Sequence, residues 1–180
     1  MQRLERENAQ LLIVDVQEKL CAAMPDHALA RMVNRTQSLL EGARALGLPV
    51  HLTEQYRKGL GPTVPALMQG LAGVQPVEKL EFSACVPAVR AALGARKQVL
   101  LAGMEAHICV FQTARDLAEL GFVPVVCADA VLSRDPIDLE IGLRLCREAG
   151  ALVTSVEAAL FDLLGRAGTP AFKAISTAVK

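Results

Sequence analysis

The chain has 180 residues, 52% of them hydrophobic, and its 19 basic and 19 acidic side chains cancel to a formal net charge of zero. A chain of this size buries one substantial core, so a single domain spanning residues 1–180 is expected. The charge balance offers no basic stripe for phosphate contacts, and apolar runs of about five residues fall well short of the roughly 20 that span a bilayer, so neither nucleic acid nor membrane is an expected partner.

In chain order, the segment Met1–Asn8 carries charges of both signs and lacks the apolar core of a signal peptide, which predicts a cytoplasmic protein. A first strand is predicted at Gln10–Val14, closed by Asp15. A helix follows over Ala28–Leu46, with Met32, Val33, Leu39, Leu40 and Ala43 on its apolar face and Gly47 as its stop. A second strand, Pro49–Thr53, leads into an irregular Gly- and Pro-containing loop over 55–63 and a short helix at Val64–Met68. Strands at Gln75–Glu78, Gln98–Ala102, Val123–Cys127 and Ala151–Thr154 then alternate with helices at Val86–Leu93, Ile108–Leu120, Asp138–Ala149 and Val156–Leu164. A tail runs from Gly165 to Lys180.

This alternation is the mark of a parallel α/β sheet covered on both faces. With no Trp, one Tyr and five Phe, the core must be aliphatic. Ligands of such sheets bind beyond the carboxyl ends of the strands where the winding reverses. In the strand order 3-2-1-4-5-6, Asp15 and Cys109 both sit at that reversal, and Lys79, placed after strand 3, has to reach across strand 2.

Cys109 is the candidate nucleophile because it follows a strand and Gly103 at the point where a helix should begin. Backbone donors and the helix dipole there lower a thiol pKa. The other four cysteines, Cys21, Cys85, Cys127 and Cys146, read as small buried hydrophobes, and an odd count without a C-x-x-C pair argues against a disulfide framework or a zinc knuckle. Asp15 is the candidate base. Burial would raise its pKa and Lys79 would lower it, and residue types alone leave that competition open. Backbone N–H groups near Ala106 and Cys109 are the natural donors to an oxyanion. His27, His51 and His107 are scattered, so no metal site is expected. His107, two residues before Cys109, would need a favourable turn to act as its base. Phosphate-cradling glycine motifs are absent, and no cofactor is expected.

The ordered set Leu11–Gln17, Thr53–Tyr56, Lys79–Ser83, Gly103–Val110 and Ala128–Arg134 resembles the isochorismatase-like cysteine hydrolases, and within them the isochorismatase-domain-containing branch. The similarity runs from about residue 8 to about Lys173. It implies a three-layer α/β/α sandwich with a six-stranded parallel sheet and an Asp-Lys-Cys triad mapping onto Asp15, Lys79 and Cys109. It also implies a non-proline cis peptide between Met104 and Glu105, next to Ala106. Where nicotinamidases of this superfamily bind a metal through Asp-x-His and a second His, this chain has Thr53-Glu54-Gln55-Tyr56. Vinyl-ether-cleaving members typically lack the nucleophilic Cys, which is present here. Ala106 stands where many relatives have Thr.

The function expected is hydrolysis of a small amide through a Cys109 thioester. Gln17, Gln55 and Tyr56 are candidate substrate contacts. The competing readings are a hydrolase of a non-amide bond and a non-catalytic scaffold that keeps the fold. Relatives of this kind commonly assemble, so a homo-oligomer acting on a small-molecule substrate is the expectation.

Overall fold

Six parallel strands form one sheet in the order β3-β2-β1-β4-β5-β6 in the computed structural model, which describes residues 3–180. The strands are β1 (Ala9–Val14), β2 (Val50–Gln55), β3 (Val77–Lys79), β4 (Gln98–Met104), β5 (Val123–Leu132) and β6 (Leu152–Thr154). Every residue of β1 and β4 is buried, as befits central strands with both faces covered.

Period-2 alternation splits the core in two. Leu11 and Ile13 of β1 face one helical layer made by α2 (Asp26–Leu46), α8 (Val156–Leu164) and α9 (Pro170–Ala178), through Leu39, Leu160 and Ile175. Leu12 and Val14 face the other, made by α5 (Pro87–Leu93), α6 (Phe111–Glu119) and α7 (Pro136–Glu148), through Val89, Leu117 and Cys146. Each such fully buried side chain contributes about 1.5–3 kcal/mol of transfer free energy. The result is the expected three-layer α/β/α sandwich, with the expected strand order.

Several boundaries differ from the sequence reading for identifiable reasons. Lys79 is the last residue of β3 rather than following it, because Gln55 pairs in register with Lys79. β5 runs five residues past Cys127: a register shift opposite Leu101 and Gly103 lets Val131 pair with Gly103 and Leu132 with Met104. The tail contains α9, which opens on Thr169, whose hydroxyl accepts from the Phe172 N–H at 3.1 Å, and on Pro170 at the first helical position. Short helices α1 (Glu18–Cys21), α3 (Arg57–Leu60) and α4 (Pro65–Met68) fill the connections around β2. Among the described residues, no helix is long and apolar enough to cross a membrane.

The strand ends are drawn together at Gly103. Its φ is +128°, and a Cβ there would lie 1.9 Å from the Val14 carbonyl oxygen. Only glycine lets β4 approach β1 so closely, one residue before Asp15.

Candidate active site

Val14 pairs with Thr53 on one side and with Gly103 on the other, so Asp15 emerges at the centre of the sheet's carboxyl edge. Asp15 itself has a φ of +52°, and the turn is held by hydrogen bonds from its N–H to the Thr53 carbonyl (3.2 Å) and from the Gln17 N–H to its own carbonyl (3.0 Å). The Thr53 hydroxyl donates to Asp15 Oδ1 at 2.8 Å.

Lys79 does reach across β2. Its Nζ lies 2.5 Å from Asp15 Oδ2, with both side chains fully buried. The ammonium also donates to Gln55 Oε1 (2.8 Å) and to the carbonyls of Glu81 and Phe82 (3.1 Å each). A buried ammonium is tolerable only when its protons are satisfied in this way.

Cys109 lies in a π-helical turn, Ala106–Val110, that precedes α6; the Phe111 N–H bonds back to the Ala106 carbonyl. The peptide between Met104 and Glu105 is cis. The Cys109 carbonyl accepts from the Thr113 hydroxyl at 2.6 Å, and the same hydroxyl accepts from the Ala84 N–H at 2.8 Å, which ties the loop after Lys79 to the turn that carries Cys109.

The electrostatics correct one expectation. The start of a helix was expected to lower the Cys109 pKa, yet burial pushes the thiol up to about 12, aided by the charge of Asp15 and by a hydrogen bond to it. Lys79 and the Glu105 backbone N–H act the other way and are outweighed. Asp15 is likewise raised above the usual carboxylate range, because desolvation exceeds the lowering by Lys79, Thr53 and Cys109. Burial therefore wins the competition that residue types left open. Burial thus holds the thiol toward its protonated form and makes the neighbouring carboxyl more basic. The other cysteines are free, and burial raises all four, Cys21, Cys85 and Cys146 to about 11.

The remaining candidates divide. Gln17 is buried, and its amide is fully engaged: Nε2 donates to the carbonyls of Gln55 (3.0 Å) and Gly61 (2.6 Å), and Oε1 accepts from the Gln55 N–H (2.7 Å). Gln55 holds Lys79 and donates to the Leu80 carbonyl at 2.8 Å. Tyr56 is half exposed and borders an open cleft of about 360 Å³ with Arg57, Lys58, Glu78, Leu80 and Glu81. His107 turns away from Cys109: Nδ1 lies 2.9 Å from Ser133 Oγ and Nε2 3.7 Å from Asp138 Oδ2. Among the described residues, no three His, Cys, Asp or Glu side chains gather as a metal would require.

Thr53, Thr113 and Glu54 were given no role by the sequence. Glu54 is buried, accepts from the Thr63 N–H and hydroxyl (both 2.7 Å) and pairs with Arg57 (2.7 Å), so it fixes the loop that flanks the site. Successive polar residues at the carboxyl end of β2, Thr53, Glu54 and Gln55, were the signal that could have found Thr53 and Glu54.

Comparison with known proteins shows what the chain is similar to. The family model for the isochorismatase domain matches residues 9–158. The isochorismatase domain-containing protein 2 of Bos taurus is 42% identical over 176 residues, covering 96% of this chain and 83% of that protein. The solved structure of the MAR1 ribonuclease from Caenorhabditis elegans superposes with a TM-score of 0.93 at 37% identity, covering 99% of this chain and 92% of that one. The YcaC gene product from Escherichia coli, described as an octameric hydrolase of unknown specificity, superposes with a TM-score of 0.82 at 26% identity, covering 91% and 83%.

Proposed function

The chain belongs to the isochorismatase family, and on that premise we propose that it is a cysteine-dependent hydrolase that cleaves a small amide through a thioester on Cys109. The observation that carries the reading is the buried Lys79–Asp15 ion pair against the Cys109 thiol. An ion pair sequestered at a strand end beside a thiol is an arrangement for moving a proton.

The steps follow from the groups present. As Sγ attacks the carbonyl carbon, its proton passes to Asp15 and an S–C bond forms. Backbone N–H groups at the start of the Ala106–Val110 turn hold the developing oxyanion, since the first donors of a helix have no intrahelical partner. Collapse breaks the C–N bond, and Asp15 returns the proton to the nitrogen, which leaves as ammonia or an amine. Water then attacks the thioester with Asp15 as base, the carboxylic acid departs, and Sγ regains its proton. The Lys79 ammonium opposes protonation of Asp15 and stabilises the thiolate in the transition state.

Tyr56 is the candidate pocket residue open to a ligand, whereas Gln55 acts through Lys79 and Gln17 through Gln55. A phosphodiester substrate, as the name of the C. elegans protein would suggest, is disfavoured by the zero net charge and by a cation already committed to Asp15. The reading extends to a reduced, cytoplasmic setting, supported by five free cysteines, and to a homo-oligomer, supported by the octameric E. coli neighbour.

The test is ammonia release across a panel of small primary amides, with Cys109→Ala as control. Release that requires Cys109 supports the proposal. Release that survives the substitution overturns the nucleophile, and silence across a broad panel favours a scaffold or a non-amide bond.

A further inference from the structure

The segment that carries the proposed oxyanion donors is gripped from outside by two consecutive residues of the loop between β5 and α7. Ser133 Oγ lies 2.9 Å from His107 Nδ1. Arg134 gives both its backbone N–H and its Nε–H to Glu105 Oε2, each at 3.0 Å. Glu105 and His107 flank Ala106, so the residues on either side of that position are both held. α7 completes the grip, because Gly142 lets it close on the turn: a Cβ there would lie 2.6 Å from the His107 nitrogen.

The asymmetry of the Arg134 contact is informative. The Glu105 carboxylate is buried while the Arg134 guanidinium is largely exposed, so a surface cation reaches in to satisfy a buried acid. Such an acid needs a partner, but an apolar residue would need none and would pack there at lower cost. The carbonyl of the same Glu105 accepts from the N–H groups of Ile108 and Val110, each at 3.1 Å, on either side of Cys109. Fixing the side chain fixes the residue on which that turn is anchored, and the Glu105 backbone also favours the Cys109 thiolate.

We propose that Arg134 is a positioning residue for Cys109, holding the Glu105 carboxylate so that the turn anchored on Glu105 keeps the sulfur in place through the reaction. The inference rests on the reading of Cys109 as nucleophile but not on any particular substrate. The charged groups acting on the sulfur are Asp15, just past the end of β1, and Lys79 from β3, while Glu105 turns its carboxylate to Arg134. His107 and Asp138 face each other on its far side.

The experiment is the rate of Cys109 alkylation by iodoacetamide, resolved by peptide mapping from neutral to alkaline pH, in which an S–C bond forms and iodide leaves. Cys85, which makes no contact with the clamp, is the internal reference. Arg134→Ala is expected to slow Cys109 about tenfold or more at fixed pH and move its profile to higher pH, since small misplacements at a reacting centre are costly. Arg134→Lys should recover part of the loss, and Cys85 should be unchanged. A wild-type Cys109 rate and profile in Arg134→Ala would overturn the proposal. If that variant does not fold, Arg134→Lys carries the same test: a Cys109 rate between zero and wild type with Cys85 unchanged supports the clamp, and a wild-type rate overturns it. Alkylation needs no turnover, so failure here leaves the hydrolase reading standing, and failure to hydrolyse any amide leaves the clamp standing.

Discussion

Lys79 Nζ and Asp15 Oδ2 meet 2.5 Å apart, in a fully buried pair that joins the end of β3 to the residue closing β1, a strand not adjacent to it. Register explains how. Gln55 pairs with Lys79 and Val14 with Thr53, so the Lys79 side chain passes over β2 where Gln55 and Thr53 supply polar contacts to it and to its partner.

Removing one member of such a pair leaves the other charge stranded. Lys79→Met is expected to cost about 3–5 kcal/mol, measured by chemical denaturation, because the Asp15 carboxylate loses its counter-ion in a buried site. Asp15 would respond by holding its proton more tightly, which abolishes its service as a base. Cys109 would lose the group that favours its thiolate, so its alkylation at fixed pH should slow. The double variant Asp15→Asn, Lys79→Met should recover part of the stability but none of the turnover.

Asp15→Asn gives the opposite sign for the thiol. Asp15 raises the Cys109 pKa by charge and by hydrogen bond, while Lys79 lowers it. With the carboxylate gone, burial is opposed by Lys79 and the Glu105 backbone without the added charge of Asp15, and the pKa must fall from about 12, so Cys109 should alkylate faster than wild type between neutral pH and about pH 10, where the thiolate fraction is limiting. Hydrolysis should nonetheless be lost, since nothing remains to carry the proton. Faster alkylation with lost turnover separates a base from a merely structural acid; slower alkylation would contradict the assignment of charges.

Gly103→Ala tests the close approach of β4 to β1. A methyl group 1.9 Å from the Val14 carbonyl oxygen, at a φ of +128°, meets backbone that has no side chain to move aside. Destabilisation of about 4 kcal/mol or more is expected, read as a collapse of the thermal transition. Gly121→Ala, where φ is +77° but the space is open, should be distinctly milder.

The architecture was legible because strands such as Leu11–Val14 and Val99–Ala102 are apolar on both faces and punctuated by helical periodicity. The strand order assumed for a doubly wound sheet is the one observed, and Asp15, Lys79 and Cys109 could be singled out as candidates because each falls at or near a strand's carboxyl end. Legibility ended where long-range register takes over. Nothing in one chain tells that Thr53 will face Asp15, that Arg134 will find Glu105, or that His107 will turn to Ser133 rather than to Cys109. The sign of the Cys109 shift was missed for a related reason: a local motif announces the helix start, but burial is a property of the whole fold. The α9 helix was overlooked although Thr169-Pro170 is a readable start, because Gly165 and Gly168 dominate the stretch before it.

The central claim is that the Cys109 sulfur becomes covalently bonded to the acyl group of the substrate. Acid-quenching the protein during turnover of the active amide and mapping its peptides by mass spectrometry tests this directly. The account predicts an acyl mass on the peptide containing Cys109, lost on treatment with hydroxylamine and absent in Asp15→Asn. An acyl adduct on another residue, or steady turnover with Cys109 unmodified in Cys109-dependent enzyme at every quench time, would contradict it.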